Sequence, residues 1–578
     1  MKSEIKIHSI SSVSATCQNC RGEFIIESED FNFYEKIKVP PPTFCPECRL
    51  VRRLASANER ALYKRTCDLT GKDIFSMYPK NTLFPVYESK AWYGDEWDPY
   101  QYGMDYDFSK SFFEQFLKLS DKVPKMALVK QGFSTNSEYT HRVNNMKNCY
   151  MVFRASNSVD SMYSYNLINE VSDCVDCFDI SHSELCYECI NCNKCYKTKF
   201  SQESAECRDS MFLYACRNCF NCVGCVNLVN QKYCIFNKKY STEEYFKKLQ
   251  ELKLNTFSGI SKMEKEFLDF KKKFPQRAIM SLKSNEVSGN WFTNCQNVNK
   301  SFACSNVKDG KYLFSIFGVE DCMDYYQWGD VSELVYESAN SGINSSRLNF
   351  CTQCWTGAHD LFYCDSCPSS SYCFGCIGLK KGEYSILNKR YTKKEYETLA
   401  PKIIKQMKEM PYIDKRGIEY RFGEFFPESF SKFAYNETAA MEFFPLTKEE
   451  VISRGYLWKD KEKTNYTTTI KSSSLPETIN DVDDSILNEI IECADKDKPY
   501  STGAYRIVEN ELSFYRKMDL PVPRVCFDAR HTCRLQKRPP LRTLKRMCSK
   551  CSAEVETVYD ENYSPIVYCE KCYQQEVY

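Results

Sequence analysis

Cysteine spacing constrains this chain more than any other feature. Of its 34 cysteines, twenty-four form twelve non-overlapping Cys-x-x-Cys pairs. Two thiolates three residues apart can reach one metal ion from a single tight turn, and two such turns complete a tetrahedral site. The spacing therefore predicts a metalloprotein assembled from small stapled or repeated units.

Two sets are complete. Cys17-x-x-Cys20 is followed by Cys45-x-x-Cys48, and Cys548-x-x-Cys551 by Cys569-x-x-Cys572. Each offers four sulfurs and no open coordination position, so the expected cofactor is structural zinc, about two ions per chain. The central pairs are weaker candidates: Cys174, Cys177, Cys186, Cys189, Cys192, Cys195, Cys216, Cys219, Cys222, Cys225, Cys351, Cys354, Cys364, Cys367, Cys373 and Cys376. They read either as further zinc ligands bridging neighbouring units or as buried reduced cysteines acting as small apolar residues. The unbroken runs 186–195 and 216–225 lack the longer last gap and proline of a bacterial iron–sulfur run.

The chain is duplicated twice over. Gly22, Phe33, Tyr34, Cys45, Arg49, Arg53, Cys67 and Tyr78 recur 481 positions later as Gly503, Phe514, Tyr515, Cys526, Arg530, Arg534, Cys548 and Tyr559. Residues 17–97 and 498–578 are thus copies of one module. Each copy kept its ligands in a different half: the first set maps onto Lys498, Ser501, Cys526 and Ala529, and the last maps back onto Cys67, Thr70, Glu88 and Ala91. In the middle, residues 222–245 match 373–396, including Gly224/Gly375, Asn237/Asn388 and the helix-starting boxes Ser241-x-x-Glu244 and Thr392-x-x-Glu395.

A shorter rhythm runs inside the middle copies. Cys149, Ser161, Cys174, Cys186, Cys195, Cys207 and Cys219 recur at spacings of 9 to 13, and Cys295, Tyr312, Cys322, Leu334, Cys364 and Cys373 form a looser series. Short strand-like units that bury their apolar face only by stacking predict a solenoid, a parallel β-helix. Residues i and i+3 do not share a face of a flat strand, so the second cysteine of each pair must lie at a bend. Helices are expected within 247–275, after Thr447, and after Asp484.

With 78 basic against 77 acidic residues, a nucleic-acid argument rests on local patches. Arg49, Arg52, Arg53, Arg60, Lys64 and Arg65 form one, and Arg530, Arg534, Lys537, Arg538, Arg542, Lys545 and Arg546 the other. They suit phosphate contacts to RNA or single strands, with some of the 40 tyrosines and 38 phenylalanines stacking on bases. The alternative is that these arginines pair internally with acids. The five histidines (His8, His141, His182, His359 and His531) form no metalloprotease pattern, and no phosphate-binding loop, dinucleotide fingerprint or nucleophile elbow occurs. No small-molecule substrate is indicated. The start of the chain has no apolar core of signal-peptide length, and no stretch nears the roughly twenty apolar residues of a membrane span. The expectation is a cytoplasmic, non-membrane protein with reduced thiols.

Residues 17–53, with CQNC, Phe33-Tyr34-Glu35 and a proline before CPEC-R, resemble the probable zinc-ribbon domain family. The wider layout, in lines such as KRTCDLTGKDI and FAYNETAAMEFFPLTKEE, resembles large uncharacterised cysteine-rich proteins of small-genome environmental bacteria. The resemblance implies a metal site and supplies no activity. The expected fold is mainly β with some α: duplicated zinc-ribbon modules flanking a duplicated cysteine-rich β-solenoid. The segments are a ribbon module (1–97), repeat region A (98–250), a charged helical linker (251–290), repeat region B (291–410), a connector (411–497) and the second ribbon module (498–578). The expected function is a non-catalytic zinc-binding scaffold that binds nucleic acid. The alternatives are a structural or protein-interaction component, self-assembly included, and a thiol- or metal-dependent enzyme.

Overall fold

Every third residue of the central region has a left-handed backbone conformation, and this one device builds the core. In the computed structural model, which describes residues 11–339, 341–461 and 466–577, Asp173, Asp176, Asp179, His182, Leu185, Glu188, Asn191 and Lys194 have φ between 48° and 59°. Each such residue turns the chain, so the residue after it points inward. Cys174, Cys177, Ile180, Ser183, Cys186, Cys189, Cys192 and Cys195 are accordingly all buried. Asparagine and aspartate tolerate this conformation best, which explains their abundance at the corners. They also stack from coil to coil: Asn145 Nδ2 donates to Asn157 Oδ1 at 3.1 Å, and Asn218 Nδ2 to Asn230 Oδ1 at 2.7 Å.

Most coils pair in parallel at a twelve-residue register, as in Tyr196↔Arg208, Arg208↔Phe220 and Phe220↔Lys232, with thirteen at Tyr165↔Phe178 and Ser346↔His359. Two solenoids result, spanning Lys130–Ile235 and Ser281–Ile386. In the looser second series the sequence register slips by one. Tyr312 and Leu334 occupy corners with φ of 59° and 56°, and Leu313 and Val335 fill the interior instead.

Each solenoid ends on the motif shared between the middle copies. The last parallel strand folds back antiparallel, Lys232–Ile235 on Lys238–Lys239 and Glu383–Ile386 on Lys389–Arg390. At the turn, Asn237 ties both backbone groups of Val226, and Asn388 ties both of Ile377. The fold-back covers an edge that would otherwise invite strand pairing. Ser241 and Thr392 then cap the helices Thr242–Glu251 and Lys393–Glu409 with reciprocal boxes.

The remaining helices follow the sequence in part. The expected linker helix breaks at Thr256, which caps a second helix, Phe257–Lys271. Thr447 caps Lys448–Ser453. The helix expected after Asp484 is instead a single 3₁₀ turn, Asp484–Asn488, followed by strand Ile491–Glu492. Pairing of that strand with Ile470–Lys471 and Ala504–Tyr505 overrides the local helix pattern. Among the described residues, no helix is long and apolar enough to cross a membrane.

The chain divides into two compact units that interleave along the sequence. Among the described residues, those within Met1–Ala127, Ile279–Asp460 and Leu541–Thr543 form the first, and those within Leu128–Ala278, Lys461–Pro540 and Leu544–Tyr578 the second. The first unit thus combines the first terminal module with the second solenoid, and the second unit combines the first solenoid with the last module. In the first unit the helix Phe112–Ser120 lies over Gly375, where a Cβ would come within 2.7 Å of the Phe112 ring. In the second, Phe257–Lys271 lies over the matching Gly224, with Met263 Cε at 2.6 Å from such a Cβ. Both glycines have positive φ, 64° and 67°, and both let a helix close onto its solenoid.

The terminal modules are copies in structure as in sequence. Pro46–Ala55, Tyr63–Thr66, Asp73–Ser76 and Val86–Tyr87 correspond, at the offset of 481, to Phe527–Gln536, Leu544–Met547, Glu554–Thr557 and Val567–Tyr568.

Candidate metal centres

In each module two sulfurs come from a β-hairpin turn and two from a helix start. Strands Val13–Thr16 and Glu23–Ile26 pair antiparallel, and Cys17 and Cys20 occupy the turn between them. Arg21, with φ of 62°, closes that turn by donating its amide to Cys17 O. Cys45 is the N-cap of helix Pro46–Ala55, and Cys48 lies in its first turn. At the other end, Cys548 and Cys551 occupy the turn between Leu544–Met547 and Glu554–Thr557, with Ser552 at φ of 58°. Cys569 immediately precedes helix Glu570–Val577, and Cys572 lies within it.

The four sulfurs of each set lie within 4.8 Å of one another. Cys20 Sγ and Cys45 Sγ are 3.8 Å apart, as are Cys551 Sγ and Cys569 Sγ. A tetrahedral site with metal–sulfur bonds of about 2.3 Å has an edge of about 3.8 Å. Amides and neighbouring thiols prepare one sulfur of each set, Cys17 and Cys548, for negative charge. Hydrogen bonds from the Cys45 and Cys48 thiols hold Cys17 far below the usual thiol range, while its own bond to Cys17 pushes Cys45 up to about 12. At the second set burial pushes Cys548 up, but amides led by that of Cys569, at 3.3 Å, outweigh it and bring the thiol to about 6. A divalent cation would replace the protons these sulfurs now share.

The central cysteines sit differently. Each of the sixteen points into a solenoid, fully or almost fully buried. Most of these thiols lie against the carbonyl two residues earlier and another nine or ten residues later. Cys174 Sγ meets Ser172 O and Ser183 O at 3.2 and 3.6 Å; Cys177, Cys186, Cys189, Cys192 and Cys195 repeat the pattern. So do Cys216, Cys219, Cys222 and Cys225, and in the second solenoid Cys351, Cys364, Cys367 and Cys376. Cys354 meets Cys364 O, and Cys373 meets Ser371 O. Serine and threonine take the same place elsewhere, as Thr198 does with Tyr196 O and Cys207 O. Among the described residues, the convergent metal-ligating groups are the two terminal sets.

The two basic runs are largely internal. Arg49 Nε lies 2.8 Å from Asp324 Oδ2, Arg53 Nη2 3.2 Å from Asp324 Oδ1, and Arg52 Nη2 3.3 Å from Glu337 Oε1, all buried. The second unit repeats this lock. Arg530 Nε lies 2.8 Å from Asp176 Oδ2, and Arg534 Nη1 2.9 Å from Asp176 Oδ1 and 2.7 Å from Glu188. Burial pushes the Glu337 carboxyl up to about 7 against the pull of Arg52 and Arg53. Arg60 pairs with Glu442, Arg65 is buried beside Asp68, Lys537 pairs with Glu264, Arg538 approaches Asp179, and Arg546 donates to the Tyr559 and Ser564 carbonyls. Lys64, Arg542 and Lys545 are exposed, the last two against Glu47 and Glu554. Burial and pairing thus withdraw most of both predicted patches from a phosphate-contacting surface.

The histidines are placed structurally. His141 Nδ1 accepts from the Val129 amide, His182 lies 3.7 Å from Glu170, His359 bonds Asp360, and His531 packs among Tyr165, Phe178 and Phe527. His8 lies outside the described residues. A third cysteine group escaped the spacing rules. Cys493, in the connector, meets Cys526 of the second module, with Cys526 N 3.2 Å from Cys493 Sγ. Cys493 belongs to no pair and maps at the offset onto Ser12, so no pattern marks it. Comparisons with protein-family models, curated proteins and solved structures returned no match.

Proposed function

We propose that this chain is a non-catalytic scaffold stiffened by two structural zinc ions, one in each terminal four-cysteine set of a ribbon-like module. The observation that carries this reading is the convergence of each set to within 4.8 Å, on a hairpin turn facing a helix start. All-sulfur ligation favours zinc over harder cations, and four sulfurs leave no position for substrate or water. The solenoids then offer long regular surfaces to a protein partner, since most of the basic residues that would serve nucleic acid are internal.

Metal analysis of the purified chain tests the reading. About two zinc per chain are expected, with Cys20→Ser and Cys551→Ser each removing one. A metal-free protein, iron with visible absorbance, or four or more zinc per chain would sink it. Filter binding of RNA across a salt series separates the partner classes: salt-dependent retention would reinstate nucleic acid.

A further inference from the structure

We infer that Cys493 and Cys526 form a dithiol–disulfide site, a redox-formed staple at the metal position that the last module gave up. Cys526 matches Cys45 and keeps its place at the N-cap of a helix, Phe527–Gln536. Ser501, which matches Cys20, keeps its contact too: Ser501 Oγ lies 3.5 Å from Cys526 Sγ. The other two ligand positions are Lys498 and Ala529, so no four-sulfur set remains. Cys493, next to strand Ile491–Glu492, fills the gap: its sulfur accepts the Cys526 amide at 3.2 Å, and its own amide is held by Gly503 O at 2.9 Å. Both thiols are buried, at 1 % exposure, in a small apolar cluster with Ala529.

The two sulfurs are set up as nucleophile and resolving thiol. The Cys493 thiol donates to Cys526 and, against the opposing effect of burial, brings it to about 4, while Cys493 itself is driven up. A helix start favours the thiolate further. The oxidant is a low-molecular-weight disulfide such as glutathione disulfide. Cys526 thiolate attacks one of its sulfurs, the small S–S bond breaks, and the first small thiolate leaves and takes up a proton. Cys493 then loses its proton and attacks Cys526 sulfur in the mixed disulfide, releasing the second small thiol. From the Cys526 thiolate and the Cys493 thiol the protein gives up two electrons and one proton, solvent supplies the second proton, and one small disulfide becomes two thiols.

The full zinc-loaded chain is equilibrated with glutathione disulfide in urea below the unfolding midpoint, so that local opening admits the reagent. Free thiols are then alkylated and a non-reduced digest is read by mass spectrometry. The expected product joins the Cys493 and Cys526 peptides, two hydrogens lighter than the separate thiols. Cys493→Ser should instead leave Cys526 as the mixed glutathione disulfide, with the far-ultraviolet circular dichroism of the parent. A wild-type chain holding a stable mixed disulfide without the bridge overturns the inference. So does one in which both cysteines are alkylated. Neither outcome bears on the terminal zinc sites.

Discussion

Replacing Cys189 by serine and by alanine separates a hydrogen-bonded ladder from a metal site inside the first solenoid. Cys189 lies in one interior file with Cys177, Ser201, Leu213 and Cys225, twelve residues apart. Its sulfur lies 3.3 Å from Thr198 O and 3.6 Å from Tyr187 O. One coil on, Ser201 Oγ donates to Lys199 O at 2.9 Å and accepts the Leu213 amide at 3.1 Å. Cys189→Ser therefore installs a side chain the same file already accommodates. It loses a little volume and keeps a donor, at a cost of about 0.5–1 kcal/mol. Cys189→Ala removes a methylene-sized group (about 1 kcal/mol), leaves a void of roughly 25 Å³ (about 0.6 kcal/mol), and loses a weak hydrogen bond (about 0.5 kcal/mol). The sum is about 2 kcal/mol, so the serine variant should be the more stable. Urea unfolding followed by circular dichroism reads the difference. Tryptophan emission reports the other unit separately, because all six tryptophans lie there. If Cys189 were a metal ligand, serine and alanine would both remove an ion and both cost several kcal/mol. A serine variant as damaged as the alanine variant, with metal lost, refutes the ladder.

Three further outcomes follow from the same geometry. Burial pushes Cys322 up to about 12, whereas an unfolded thiol titrates at about 8.5, so its contribution is complete below about pH 8.5 and is lost progressively as pH rises from there to about 12. The urea midpoint read by tryptophan emission should therefore fall between about pH 8.5 and 10 more steeply in the wild type than in Cys322→Ser; equal slopes would count against a protonated core. Asp176→Asn leaves Arg530 and Arg534 without their shared carboxylate, and should cost about 3–5 kcal/mol in chemical unfolding; a loss under about 1 kcal/mol would show the lock to be incidental. Asn388→Ala orphans both backbone groups of Ile377, and hydrogen exchange should show the final coil of the second solenoid opening while its centre stays protected; unchanged protection of Ile377 would refute the capping role.

The terminal sites were legible because one spelling had one cause there: Cys17-x-x-Cys20 and Cys548-x-x-Cys551 sit on hairpin turns, where residues i and i+3 converge on one point. In the solenoids the same spelling has another cause. A left-handed corner at every third residue makes i and i+3 both face inward, and the run Cys186, Cys189, Cys192, Cys195 follows an interior wall. A bend was required by the spacing, but nothing local distinguished a turn around metal from a corner. Tyr312 and Leu334 show the residual ambiguity, since apolar corners and apolar interior positions alternate there. The partners of the arginines were illegible for a different reason. Arg49 and Arg53, like Arg530 and Arg534, share a helix face, but their carboxylates at Asp324 and Asp176 lie hundreds of residues away. Sequence separation of that size carries no pairing signal.

The two modules together show which interactions hold which parts. Between the copies the four-sulfur sets changed halves, so no single metal position is needed for the module to form. The docking contacts did not change. Arg49 donates to Phe44 O and Arg530 to Val525 O, and each pairs with a corner aspartate of the solenoid in its own unit. Tyr34 meets Tyr336 as Tyr515 meets Tyr187. The four-sulfur sets and the ion-pair lock therefore have separate places: an ion bound by a set would join a hairpin turn to a helix start within a module, and the lock joins the module to its solenoid. Where the last module lacks a four-sulfur set, Cys493 and Cys526 meet between a strand end and a helix start. A chelator should then loosen the hairpins around Cys17 and Cys548 to protease while the buried arginines keep both modules seated. Release of a whole module on chelation would show that the metal, and not the lock, holds it in place.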